Sequence, residues 1–316
     1  MNVIFSQNKR IRQDALARME TSLEGTGWGR CHVDEARQIL QLMDGDTGDE
    51  NISAAARSKA QILSKDRYFD YWYFEGAPLS VQIALAIALD TGAFVPAARQ
   101  ERKCEEFLAF FRGQLAFKRA LNWSETVGGW LFPGEAENLW KTVQDYSATD
   151  FGICEIGSWT GRSTTLLGAA RAHFCPGKPL HAIDDWNFGG QPDLYPYLSG
   201  ARALRLEFEA NTAAFLDAPT IHEAKFQDFA ISPAAAGLKF DLVFHDAGHT
   251  VEDFERDLPL LAPLLAPDAT LLIHDYVSHH FSAARQVIDQ WVAADSGRSL
   301  ERTLGSTAVI RIGRRP

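Results

Sequence analysis

Cysteine is scarce in this chain: the 316 residues include only Cys31, Cys104, Cys154 and Cys175, with no CxxC pair and no zinc-finger spacing. That argues against a disulfide framework and a structural zinc site, and leaves reduced packing thiols in a cytoplasmic protein. Positive charge is also short. Lys and Arg number 31 against 41 Asp and Glu, a formal net charge of −10. Residues 1–120 are balanced at 16 of each sign, so the whole acidic excess falls in residues 121–316, with 15 basic against 25 acidic groups. A nucleic-acid surface needs a basic stripe that displaces counterions, so no nucleic-acid partner is expected. No apolar run is long enough to span a bilayer. The longest, Ala77 to Leu89, is interrupted by Ser80 and Gln82 and reads as a buried helix. The opening MNVIFSQNKRIRQDALARME turns charged early and has no small-residue cleavage site, so neither a signal peptide nor a membrane partner is expected. The dinucleotide fingerprint GxGxxG is missing as well, which disfavours a dehydrogenase.

What is present is enough apolar material for a core, 46% of residues with 23% charged, and this excludes disorder as the main state. Residues 1–120 show helical spacing over Val33–Met43, Ile52–Leu63, Leu79–Leu89 and Gln100–Ala120, with DGDTGDEN (44–51) as a loop. We read them as a helical N-terminal domain. Its aromatic segment RYFDYWYFEG (67–76) suits a core or interdomain contact, with a substrate-facing or dimer-facing role as the alternative. From Phe151 the texture changes to short apolar runs alternating with amphipathic helices, which signals βαβ units and a parallel sheet. Strands are expected at Gly152–Ile156, Leu180–Asp184, Thr220–Ala224, Phe240–Asp246 and Ala269–Asp275. Helices fall between them at Arg162–His173, Arg202–Leu216, Ser232–Gly237 and Thr250–Leu261, with a further one at Phe281–Ala294. Ser299–Leu304 and Thr307–Ile312, joined by Gly305-Ser306, read as an antiparallel hairpin.

Two constellations carry chemistry. ICEIGSWTGRST (153–164) sets Glu155 before a turn in which Gly157 and Gly161 allow close backbone approach to a ligand at the carboxyl end of a strand. Asp184, ending the next strand, has a carboxylate able to accept both hydroxyls of a ribose, and Asp228 lies in the FQDF turn after the third. Three carboxylates at successive strand ends suggest a nucleoside site. The second constellation is DAGH (246–249) with HD (274–275), in which Asp246 and Asp275 end neighbouring strands and His249 opens a helix with capping-box spacing to Asp253. Period-two alternation points His274 away from the face that Asp275 uses. His245 is assigned to packing, while His279 and His280, in the YVSHHF loop, are candidates either to line the acceptor pocket or for a solvated loop. DWNFGGQPDLYPYLSG (185–200) is the candidate substrate lid.

EIGSWTGRST, AIDDW, FDLVFHDAGHTVEDFERDL and LLIHDY, in this order and spacing, resemble the class I S-adenosylmethionine-dependent methyltransferases. The subgroup they resemble contains sugar and macrolide O-methyltransferases and cephalosporin-hydroxylase-like proteins. The likeness spans roughly residues 129–312, with GWLFPGEAENLW (129–140) as lead-in helix. It implies an α/β, Rossmann-like seven-stranded methyltransferase sheet over 121–316. It does not reach the helical domain over 1–120, which is expected to serve as lid, substrate or oligomerisation element. It implies cofactor contacts from Glu155, Gly157, Ser158, Gly161, Ser163, Asp184 and Asp228. It also implies a catalytic set of His249 as base with Asp246 and Asp275, which in metal-dependent relatives hold a divalent cation. Mg²⁺ on Asp246 and Asp275 is thus an open expectation, because His274 stands where a second acid would precede Asp275.

The function expected is transfer of a methyl group to a hydroxyl of a small, natural-product or sugar-like molecule, by a cytoplasmic homo-oligomer. The alternatives are methylation of a small-molecule amine, and a non-catalytic nucleoside-binding assembly protein.

Overall fold

The computed structural model describes residues 9–23, 30–43, 52–63, 77–92, 98, 101–132, 134–187, 201–213, 217–278 and 282–313. The chain divides into two units, Met1–Asn122 and Trp123–Pro316. The loop 44–51, the aromatic segment 67–76, His279, His280 and most of the expected lid (188–200) lie outside the described residues.

The first unit is helical: α1 (Lys9–Leu23), α2 (Arg30–Met43), α3 (Ala54–Leu63), α4 (Leu79–Asp90) and all but the last three residues of α5 (Glu101–Glu125). In α4 the sequence LSVQIALAIALD is apolar on nearly every face, and Val81, Ile83, Leu85 and Ile87 are accordingly fully buried. They share one core with Ile39 of α2 and with Phe107 and Phe111 of α5, whose rings stack 5.9 Å apart. Burial of each such side chain contributes roughly 1.5–3 kcal/mol. Helix α1 escapes the sequence reading because charge dominates it and, among its described side chains, only Ala15 and Leu16 are buried. Helix α5 runs five residues beyond the expected Ala120 because Leu121–Glu125 contains no breaker before the glycines at 128–129. No helix among the described residues is long and apolar enough to cross a membrane.

The second unit opens with α6 (Glu135–Asp145) and then builds the sheet. Its strands are β1 (Gly152–Ile156), β2 (Leu180–Asp184), β3 (Thr220–Glu223), β4 (Phe240–His245), β5 (Leu265–Ile273), β6 (Arg298–Leu304) and β7 (Thr307–Ile312). They lie in the order β3-β2-β1-β4-β5-β7-β6. β1 to β5 are parallel, while β7 runs antiparallel to β5 and to β6. The central strands GICEI and FDLVFH are buried at every position, as a sheet covered on both faces requires. The covering helices include α7 (Arg162–Phe174), α8 (Ala201–Thr212), α9 (Phe226–Ala230), α10 (Val251–Leu261) and α11 (Ser282–Ala293). β5 begins four residues earlier than expected. The strand takes in Pro267 and Asp268, with Asp268 at φ 64° and a register shift against β4 between Phe240 and Leu242.

The chain order reverses at β1, where it moves outward to β2 and β3 and then returns to β4. Ligands bind beyond the carboxyl ends of the strands at such a switch point. The turns after β1, β2, β4 and β5 all open there.

Candidate functional site

A cleft of about 730 Å³ lies at these strand ends, a volume suited to a cofactor and part of a small acceptor. Its near side is the turn after β1. Gly157 has φ 86°, and a Cβ on it would stand 2.4 Å from the carbonyl oxygen of Asp246, so only glycine lets the ends of β1 and β4 close together. Gly161, φ 93°, caps α7. Ser158 and Ser163 line the cleft, whereas Glu155 and Gly161 do not. Glu155 is fully buried. Its Oε2 accepts a hydrogen bond from Thr164 Oγ1, while its Oε1 has no hydrogen-bond partner among the described residues. Burial pushes its carboxyl up to about 7, against the smaller opposing pull of the Ser163, Thr164 and Ser158 hydroxyls.

Asp184 lines the cleft, but its carboxylate is engaged with backbone. Oδ2 accepts from the amides of Ser158 and Trp159, each at 2.8 Å, and Oδ1 accepts from the amide of Trp186 at 2.6 Å. An ionised carboxylate offers about four lone-pair sites, so little is left for a ribose. Asp184 ties the turn after β1 to the turn after β2. Both turns are unusual, since Trp159 and Trp186 have φ of 44° and 46°, and Trp186 Nε1 donates to Trp159 O at 2.7 Å. Asp185, next in the chain, also lines the cleft and is only half-buried. The sequence reading passed over it.

Asp228 is a correction. The FQDF segment is not an open turn but the helix α9, which turns Phe226 and Phe229 into the core and leaves Asp228 exposed and outside the cleft lining. Ala224, Lys225, Phe226 and Gln227 line that part instead.

The far wall is formed by Asp246, His249, His274 and Asp275. His249 Nε2 lies 3.8 Å from Asp246 Oδ1 and 3.9 Å from Asp275 Oδ2. These separations exceed a hydrogen bond, yet one oxygen placed between such atoms could sit about 2.8 Å from each. The helix behind His249 starts with the expected capping box, Thr250 and Asp253 exchanging side-chain to backbone hydrogen bonds. Burial lowers the pKa of His249 below its ordinary value, outweighing the raising effect of Asp246 and Asp275, so its imidazole is neutral near pH 7.

His274 is the second correction. Strand alternation would turn it away from Asp275, but β5 ends at Ile273, and Asp275 takes φ 59° in the turn that follows. That twist brings both side chains to the cleft. His274 Nδ1 stands 2.9 Å from Asp246 Oδ1, a close charge pair rather than an aligned hydrogen bond, and Nε2 pairs with Glu135 Oε2 at 3.2 Å. Burial alone would lower its pKa, but Asp246 and Glu135 prevail and raise it to about 11. Glu135, the first residue of α6, is itself buried. Its Oε1 accepts from Ser306 N, Ser306 Oγ and Thr307 Oγ1, and its Oε2 from Phe132 N. Although burial acts in the opposite sense, the His274 and backbone hydrogen bonds hold its carboxyl below the usual range. Nothing in the sequence near Glu135 advertises a partner 139 residues away.

His245 is buried, as its assignment to packing supposed, with Nε2 3.3 Å from Asp257 Oδ2. Loop 128–132 brings aromatic groups to the mouth of the cleft, where Trp130 stacks on Trp159 with centroids 5.1 Å apart.

Residues 154–276 match the family described as a methyltransferase domain. The second unit therefore carries a methyltransferase domain. The matched segment runs from within β1 to just beyond β5, and so takes in the glycine turn and all four groups of the far wall. Among solved structures, the chain is similar to the O-methyltransferase NovP (17% identity, covering 57% of this chain and 80% of that one, TM-score 0.45). It is also similar to an O-methyltransferase from Bacillus cereus in complex with SAH (16%, 63% and 90%, TM-score 0.45). A third is CalS11, a TDP-rhamnose 3′-O-methyltransferase of calicheamicin biosynthesis (14%, 83% and 96%, TM-score 0.43). No curated protein matches the chain.

S-adenosyl-L-methionine is the cofactor expected of such a methyltransferase domain. The residues present fit it: a cleft of adequate size at the switch point, Ser158 and Ser163 on its near side, and Asp185 just after β2. They do not fit Mg²⁺ on Asp246 and Asp275. Mg²⁺ requires hard oxygen ligands in near-octahedral array, whereas Asp246 Oδ1 faces an imidazole nitrogen at 2.9 Å. Among the described residues no group of three or more His, Cys, Asp or Glu is disposed to hold a metal.

Proposed function

We propose that this methyltransferase acts on a hydroxyl oxygen of a small molecule, with His249 as general base and Asp246 and Asp275 orienting the acceptor. The observation that carries the reading is the placement of a neutral His249 Nε2 within 3.9 Å of both carboxylates on the wall of the cleft. When bound, S-adenosylmethionine supplies a methyl group activated by its sulfonium. The chain then has to align an oxygen with that methyl and remove one proton. Asp246 and Asp275 accept hydrogen bonds from the acceptor and fix its approach. His249 Nε2 takes the hydroxyl proton as the new carbon–oxygen bond forms, and the two carboxylates stabilise the resulting imidazolium. The acidic wall disfavours a polyanionic acceptor, in keeping with the acidic excess of this half of the chain.

The test uses S-adenosylmethionine carrying a ¹³C-methyl group and small-molecule extract from the source cells. Label recovered in a low-mass product with a methoxy carbon shift supports the reading. An N-methyl shift would replace it with amine methylation. Tight binding of S-adenosylhomocysteine with no transfer to any fraction would favour a binding protein.

A further inference from the structure

The mechanism above uses three of the four groups on the far wall and leaves His274 without a task. Yet His274 is the most firmly held of them. It is 4% exposed, Phe244 packs edge-on against its ring at 6.1 Å, and its Nε2 is paired with Glu135. Glu135 is in turn fixed by four further hydrogen bonds, from Phe132, from both groups of Ser306, and from Thr307. The ring therefore cannot turn without giving up its pair with a carboxylate that is itself fixed between α6 and the β6–β7 hairpin.

What this mounting presents to the cleft is Nδ1, 2.9 Å from Asp246 Oδ1 and 3.8 Å from Asp275 Oδ2. Those are the same two oxygens that His249 approaches. Two facing carboxylates invite a divalent cation, and Mg²⁺ shared by them would need each oxygen at about 2.0–2.1 Å together with its own waters. A ring nitrogen already stands beside both. Asp246 is thereby kept in place by the protein itself.

We propose that His274, anchored by Glu135, takes the place of a divalent cation at the Asp246–Asp275 pair, so that it positions Asp246 for the acceptor and makes the methyl transfer metal-independent. Its consequence for transfer rests on the function proposed above, while its geometric half can be tested apart from it. His274 is a positioning residue, since it acts on the acceptor through Asp246.

The experiment uses the full-length protein with Mn²⁺ as probe, followed by electron paramagnetic resonance, and S-adenosylhomocysteine binding by calorimetry as a control for an intact cleft. The wild type should leave Mn²⁺ free at submillimolar concentration. His274→Asp removes the nitrogen and adds an oxygen ligand beside two others, and should tighten Mn²⁺ binding by roughly 10–100-fold, a gain abolished by adding Asp246→Asn. A purely structural role for His274 would produce no such gain. The proposal is overturned if the wild type binds Mn²⁺ or Zn²⁺ and loses it in Asp246→Asn. It is equally overturned if His274→Asp still binds S-adenosylhomocysteine but gains no Mn²⁺. Should His274→Asp fail to fold, the wild-type measurement and the insensitivity of labelled-methyl transfer to EDTA decide the matter. Absence of S-adenosylhomocysteine binding in the wild type would count against the methyl-transfer reading alone, and the Mn²⁺ results would still judge His274.

Discussion

Replacing Glu155 with Gln should change how stability depends on pH more than it changes stability at low pH. Glu155 is fully buried, with one oxygen satisfied by Thr164 and the other without a hydrogen-bond partner among the described residues. Burial raises its carboxyl from the ordinary 4.5 to about 7. At about 1.4 kcal/mol per pH unit, that rise corresponds to about 3 kcal/mol. The folded state binds the proton more tightly than the unfolded state. The contribution of Glu155 to stability is therefore fully present below pH 4.5 and is lost as pH climbs through about 7. Glu155→Gln keeps the shape and removes the titration. Relative to the variant, the cofactor-free wild type should lose about 3 kcal/mol between pH 4.5 and slightly alkaline conditions. Urea unfolding followed by tryptophan fluorescence is suited to this, because six of the eight tryptophans lie in the Trp123–Pro316 unit. Parallel pH curves for the two proteins would refute the burial argument.

Two further outcomes follow from the same cleft. Asp184→Asn turns one accepting oxygen into a donor opposite backbone N–H groups, so it should lower stability by roughly 1–3 kcal/mol and weaken S-adenosylhomocysteine binding as well. Asp185→Asn should leave stability nearly unchanged while weakening the ligand, and calorimetry with urea unfolding on both variants would show whether this division of labour holds. A chain starting at Asn122 should retain S-adenosylhomocysteine binding, because every residue lining the cleft belongs to the second unit, and loss of acceptor turnover would give the helical unit a part in the reaction. Full turnover by the shortened chain would leave oligomerisation as that unit's remaining role.

The sheet was legible because its strands are short, apolar and bounded by glycine or acid turns. Gly152–Ile156 and Leu180–Asp184 fall where the pattern places them, and the hairpin is displaced by a single residue at Arg298. The turns of the site were less legible, because local rules stop applying where strands end. Alternation carried through Asp275 misdirects His274, since the positive φ of Asp275 breaks the period that the rule assumes. The FQDF segment looked like a turn with a free acid because five residues show too little helical period, and only the burial of Phe226 and Phe229 turns Asp228 outward. The link from Glu135 to His274 joins parts of the chain that come together only once the sheet has formed. No local pattern carries it.

The central claim is that His249 removes the proton during methyl transfer, and single-turnover kinetics of His249→Ala tests it most directly. With S-adenosylmethionine saturating and the acceptor identified by labelled-methyl transfer, the chemical step should slow by about 10²–10⁴-fold, the usual range for a general base. S-adenosylhomocysteine affinity should remain within a few-fold of the wild type. An unchanged chemical step in the variant would contradict the account.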